Sequence, residues 1–128
     1  MNAQSGGRGT LERLAWLGLA LIHLMPAMAL LTPGRLARLY GVKPGGAVLV
    51  LLEHRSLLFA GILVLCLWSA IDSQPRPAAL AATAISVLGY FALYIRHGLP
   101  AGPLRTIAKV DLLALPLLAF IAVRLFLR

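Results

Sequence analysis

Four apolar runs, each long enough to cross a bilayer and separated by three short breaks, leave this chain little freedom to fold in any other way. They cover about residues 14–31, 47–71, 78–95 and 104–126. A backbone in lipid finds no water for its amide groups, so each run is expected to close its hydrogen bonds as a helix. Short connections make consecutive helices antiparallel neighbours. The expected fold is therefore all-α, an integral membrane antiparallel four-helix bundle. Residues 1–128 form a single membrane domain in this reading, with 1–12 as a flexible polar tail.

Composition points the same way. The chain is 60% hydrophobic and 12% charged, too little charge to cover a soluble domain of 128 residues. Its one cysteine, Cys66, excludes an internal disulfide and any CxxC centre. The net charge of +8 comes from basic residues scattered singly over the ends of the runs. That is the pattern of anchors for anionic headgroups. No basic stretch is interleaved with aromatics, so the expected partners are membrane lipids and not nucleic acid.

The breaks carry their own signals. Thr32 as N-cap, Pro33 at the first helical position and Gly41 as a stop predict a short helix between spans one and two. Leu36, Leu39 and Tyr40 share one face of it, and Arg35 and Arg38 take the other, as in an interfacial helix. Pro26 in span one deprives the Ile22 carbonyl of its amide donor, beside His23, and Pro116 kinks span four. Ala78, Ala82, Ser86 and Gly89 recur at helical spacing, a stripe expected to admit a neighbouring helix closely. A rival reading of the first run takes Arg8 and Arg13 as the n-region of a signal peptide, with Ala27-Met28-Ala29 as its cleavage site. The run continues through Leu30 and Leu31, which favours a retained span.

Ionisable residues inside lipid are costly and mark functional sites by default. Alternating direction brings the end of span one, the start of two, the end of three and the start of four to one side. Glu53, His54 and Arg55 then lie roughly 10 Å below that boundary at 1.5 Å per residue. Lys109 and Asp111 lie at a comparable depth, Arg96 and His97 cap span three, and His23 is a little deeper. Consecutive helical residues point about 100° apart, so residues 53–55 cannot all face inward. Arg55 shares its stripe with Ile62, Cys66 and Ser69; His54 shares another with Leu58, Gly61, Leu65 and Trp68.

Arg55 with Asp111 is the expected ion pair and Glu53 with Lys109 the second, since opposite charges at equal depth relieve each other's desolvation. Together these residues predict one polar cavity open to that side and closed on the other by Trp68, Leu65 and Leu118. The interior half facing the other side shows no comparable group. The alternative is structural: Arg55 snorkelling at headgroup level, or an ion pair that only staples two helices.

The segments His23-Leu24-Met25-Pro26, Arg38-Leu39-Tyr40-Gly41-Val42 and Glu53-His54-Arg55-Ser56-Leu57-Leu58-Phe59-Ala60-Gly61, followed by Asp111, carry a resemblance. Over about residues 13–122 the chain resembles small bacterial four-span membrane proteins, the DoxX-like group and a related family of uncharacterised domains. The resemblance implies a multi-pass protein of the bacterial cytoplasmic (inner) membrane, and a link to redox and sulfur metabolism. It carries His54, Arg55 and Asp111 over as family positions without giving them a role.

No catalytic constellation and no metal-ligand spacing is visible. The leading expectation is a non-enzymatic accessory or ligand- and lipid-binding protein, alone or with another membrane subunit or a second copy. No motif calls for a cofactor. A second reading binds quinone or haem between helices, with His23 and His54 as the haem ligands. A third is a proton-coupled small transporter using Glu53 or Asp111. Small multidrug transporters keep that carboxylate in span one, where Glu12 lies at the boundary. Five basic residues flank the spans on each side (Arg8, Arg13, Arg76, Arg124, Arg128; Arg35, Arg38, Lys43, Arg96, Arg105), so positive charge does not orient the chain.

Overall fold

A computed structural model describes residues 3–32, 34–35, 38, 41, 43 and 46–127, with the backbone alone at 3–5 and 8. Four helices pack against one another: α1 (Ala3–Met28), α2 (Gly46–Ile71), α3 (Arg76–Arg96) and α4 (Pro103–Phe126). No strand occurs among the described residues. Each helix contains a stretch long and apolar enough to cross a membrane. Helix α1 ends in a single 3-10 turn, Ala29–Leu31, and starts at Ala3, ahead of the apolar run. Of the expected short interfacial helix, Gly34, Arg35 and Arg38 are helical; its apolar face, Leu36, Leu39 and Tyr40, lies outside the described residues.

Local chemistry sets the other ends. Asp72 Oδ1 accepts the Gln74 amide at 3.0 Å in the break after α2, and Pro77 sits in the first turn of α3 where no amide donor is needed. Helix α3 closes with a Schellman motif. The Leu99 amide reaches back to the Tyr94 carbonyl and the Gly98 amide to Ile95, with Gly98 at φ 82°. Gly102, at φ 87°, then turns the chain into Pro103.

The core is a column of side chains from all four helices: Trp16 and Leu19, Cys66, Thr83 and Val87, then Leu118. The seam between α1 and α2 is the most extensive. At Gly18 α4 approaches α1 so closely that an added Cβ would stand 3.0 Å from Leu117 Cδ1. Thr83 Oγ1 donates its only proton to the Ala79 carbonyl at 2.7 Å. The 3.7 Å contact with Cys66 Sγ therefore has the thiol as donor, joining α2 to α3.

Two packing expectations are corrected. Trp68 does not close the interior; it is 50% exposed, and Trp16, Leu19 and Leu118 fill that level instead. The small stripe of α3 is not its most buried face. Ala79, Leu80, Thr83 and Val87 turn inward, while Ala82, Ser86 and Gly89 line a groove of about 310 Å³ between α2 and α3. The larger inward side chains make more van der Waals contacts, and these outweigh the closer backbone approach that small residues permit.

Much of the outer surface is apolar. Met25 and Ile85 are each 74% exposed, and Leu21, Val50 and Leu113 also face outward. An apolar surface this extensive is a liability in water and the ordinary condition of a helix in lipid.

Candidate intramembrane ligand site

Arg55 is the tenth residue of α2 and Asp111 the ninth of α4, so each lies about 12–14 Å along its helix. Both line one cavity of about 350 Å³, together with His23 and Pro26 of α1 and Phe59 of α2. Leu21 and Met25 on one side and Val110 and Leu113 on the other are exposed and form its rim. The mouth therefore opens sideways, between α1 and α4, with α2 as the back wall.

His23 is held by its own helix. His23 is 2% exposed, and its Nδ1 lies 2.8 Å from the Leu19 carbonyl one turn earlier. A carbonyl only accepts, so Nδ1 carries a proton, and in the neutral ring Nε2 is left as the acceptor. The imidazole rests on Phe59 with ring centroids 5.8 Å apart. The Arg55 guanidinium lies 4.9 Å from the Phe59 ring centroid, and 5.9 Å from that of Tyr90 of α3. Tyr90 Oη donates to the Leu104 carbonyl at 2.6 Å, which ties α3 to the start of α4 behind the site. Arg55 and Phe59 also line the α2–α3 groove, so the pair divides the two spaces.

Arg55 acts electrostatically on Asp111, but the direct contact expected between them is not made. Among the described residues the ion pairs within 4.0 Å both involve Glu12. The Arg55 side chain follows the aromatic rings of Phe59 and Tyr90, which attract a cation without neutralising it.

Of the remaining sequence candidates, none lines this cavity. Glu53 is half-buried; His54, Arg96, His97 and Lys109 are exposed; Glu53 and Lys109 form no ion pair among the described residues. Bis-histidine haem ligation needs two imidazoles facing one space. His54 lies on the exposed stripe with Leu58, Gly61 and Trp68, so it does not share the cavity with His23.

The other end of the bundle holds a polar centre the sequence did not reveal. Glu12 is 5% exposed, buried within the bundle. Its carboxylate accepts from Arg76 Nη1 at 2.5 Å and from Arg124 Nε at 3.1 Å, joining α1 to α3 and α4. Arg76 Nε also donates to the Ser69 carbonyl of α2 at 3.0 Å. The signal was present: Glu12 is the one acid in the first 52 residues, and Arg76 and Arg124 fall on the same expected side. The space beside it, about 10 Å³, holds about one water, so this centre fastens helices and offers no ligand site.

Fold and site thus define a class: a protein of four packed, membrane-length helices with a charged cavity in a largely apolar surround. Compared with known protein families, curated proteins and solved structures, the chain matches none.

Proposed function

We propose that the chain is a multi-pass integral membrane protein, its four helices antiparallel, and that it binds the polar head of a lipid-soluble molecule in the cavity of His23, Arg55 and Asp111. The cavity carries the reading: about 350 Å³ with a guanidinium, a carboxylate, an imidazole and the hydroxyl residue Thr106 among apolar walls. Contacts between the start of α1, the start of α3 and the end of α4 support the alternating direction. The exposed leucines, isoleucines and methionines support insertion in lipid. The resemblance to DoxX-like proteins supports the bacterial cytoplasmic membrane as the site. Binding, as an accessory or lipid-handling protein, is favoured over catalysis because the lining is dominated by apolar side chains around a few polar groups.

A quinone ring is the second reading, favoured by the flat Phe59 wall and the guanidinium donor beside it. Photolabelling tests the shared part. A membrane-soluble alkyl diazirine should label the peptides carrying Met25 and Val110 above the other outward-facing segments, and Val110→Trp should remove the excess. Even labelling over all four helices, unchanged by Val110→Trp, overturns the cavity as a ligand site. Reporter fusions before α1 and after α4 test the topology and should report the same compartment.

A further inference from the structure

The walls of the cavity contributed by α1 and α4 present hydrogen-bond acceptors that lack donors. His23 supplies the first. Its Nδ1 is engaged with the Leu19 carbonyl, so Nε2 of the neutral ring is the acceptor that remains. Among the described residues Ser69 Oγ is the one fully enclosed side-chain polar atom without a partner. Nε2 has no partner there either, so it opens onto space, and the space His23 lines is this cavity.

Asp111 supplies the second, from the α4 wall. It takes part in no hydrogen bond and no ion pair within 4.0 Å among the described residues. The Arg55 charge already acts on it, so what the carboxylate lacks is a donor and not a counter-charge. The third acceptor is backbone. Pro26, inside α1, has no amide proton to give the Ile22 carbonyl one turn earlier, and both residues line the cavity.

Acceptors without donors are costly where no water reaches them, so an occupant that donates is favoured over one that only accepts. Ethers, ketones and quinone oxygens bring no proton to these atoms. An ammonium does, but it adds positive charge where Arg55 already acts on the carboxylate. An anion faces Asp111 itself. Thr106 is exposed, and its hydroxyl both donates and accepts, so it discriminates against none of these.

We propose that the site takes a neutral, lipid-soluble molecule whose head carries two hydroxyls. One donates to the Asp111 carboxylate. The other donates to the α1 wall, where Nε2 of His23 and the Ile22 carbonyl accept. This rests on the cavity's being a ligand site, as argued above. The volume of about 350 Å³ lies at the small end of ligand pockets, so it holds a head of glycerol size and not a whole lipid. The chain attached to that head lies over the apolar rim of Leu21, Met25, Val110 and Leu113.

The test is competition against the alkyl diazirine, with the full chain in phosphatidylcholine nanodiscs, whose lipid has no hydroxyl to donate. The competitors are hexadecylglycerol, its dimethyl ether, hexadecylammonium, a neutral isoprenoid quinone and glycerol. Hexadecylglycerol should remove the excess label on the Met25 and Val110 peptides at about one-tenth the concentration its dimethyl ether needs. A hydrogen bond to a charged group is a factor of roughly ten or more in affinity. Hexadecylammonium and the quinone should be weaker than hexadecylglycerol. Asp111→Leu should narrow the gap between diol and ether to about threefold.

Equal potency of hexadecylglycerol and its dimethyl ether overturns the inference while leaving the ligand site intact. Stronger displacement by the ammonium or the quinone does the same. Displacement by glycerol at the concentration where hexadecylglycerol acts overturns the lipid source and keeps the hydroxyl chemistry. A gap unchanged in folded Asp111→Leu removes Asp111 as the acceptor. An excess that no competitor displaces, or no excess at all, overturns both the inference and the site. The comparison of probes uses the unaltered chain, so it decides the matter even if Asp111→Leu fails to fold.

Discussion

The Arg55 guanidinium lies 4.9 Å from the centroid of the Phe59 ring, one helical turn further along α2, and the His23 imidazole lies 5.8 Å from the same ring. Phe59 therefore contacts both inner polar groups. Phe59→Leu should cost about 1–2 kcal/mol in denaturation from detergent, and Phe59→Trp, which keeps a ring for the cation, should cost less. Equal losses for the two variants would show that the ring contributes volume alone.

Glu12 faces two arginines from a position 5% exposed. Glu12→Gln removes the charge and leaves two partly buried cations facing a neutral amide, so a loss of about 3 kcal/mol is expected. Arg124→Leu should be milder, because the Arg124 side chain is 31% exposed and its charge is screened. Thermal unfolding of both variants checks the order; a larger loss at Arg124 contradicts it.

Gly18 sits where α1 and α4 are closest. An added Cβ meets only the end of a flexible leucine, so Gly18→Ala should change stability by less than about 1 kcal/mol, with helix propensity offsetting the contact. Gly18→Val should cost about 2 kcal/mol, and Leu117→Ala should restore part of it. Failure of that rescue would place the strain elsewhere than at this seam.

Cys66 is fully buried and its thiol donates to Thr83. As the only cysteine, it reports on the core without background. N-ethylmaleimide should modify it only after unfolding in strong detergent. Rapid modification of the folded protein would mean that α2 and α3 separate readily.

The helices were legible because apolar runs of this length have few alternatives in lipid: the observed ends of α2, α3 and α4 fall within a few residues of the hydropathy breaks. Arg55, Asp111 and His23 were legible as a group because depth follows from counting along a helix. Whether two charges at equal depth touch depends on side-chain direction, and Phe59 decides that through a contact no spacing rule of charges includes. His54 and Glu53 were drawn into the same cluster by proximity in sequence, yet the 100° step between neighbours turns His54 outward. Glu12 was missed because hydropathy measures residue type and not contact. An acid beside a basic tail reads as a boundary until its partners, 64 and 112 residues away, are brought to it.

Those separations have a consequence for how the chain is made. Synthesis runs from the N-terminus, so Glu12 exists long before either of its partners. Arg76 arrives 64 residues later and Arg124 only 112 residues later, near the close of the last helix. Until then Glu12 is without its Arg124 contact, and α4 is not tied to the first helix through that pair. The final turns of α4 act as a latch, so a nascent chain stopped short of Arg124 lacks the tie between its first and last helices that this pair supplies.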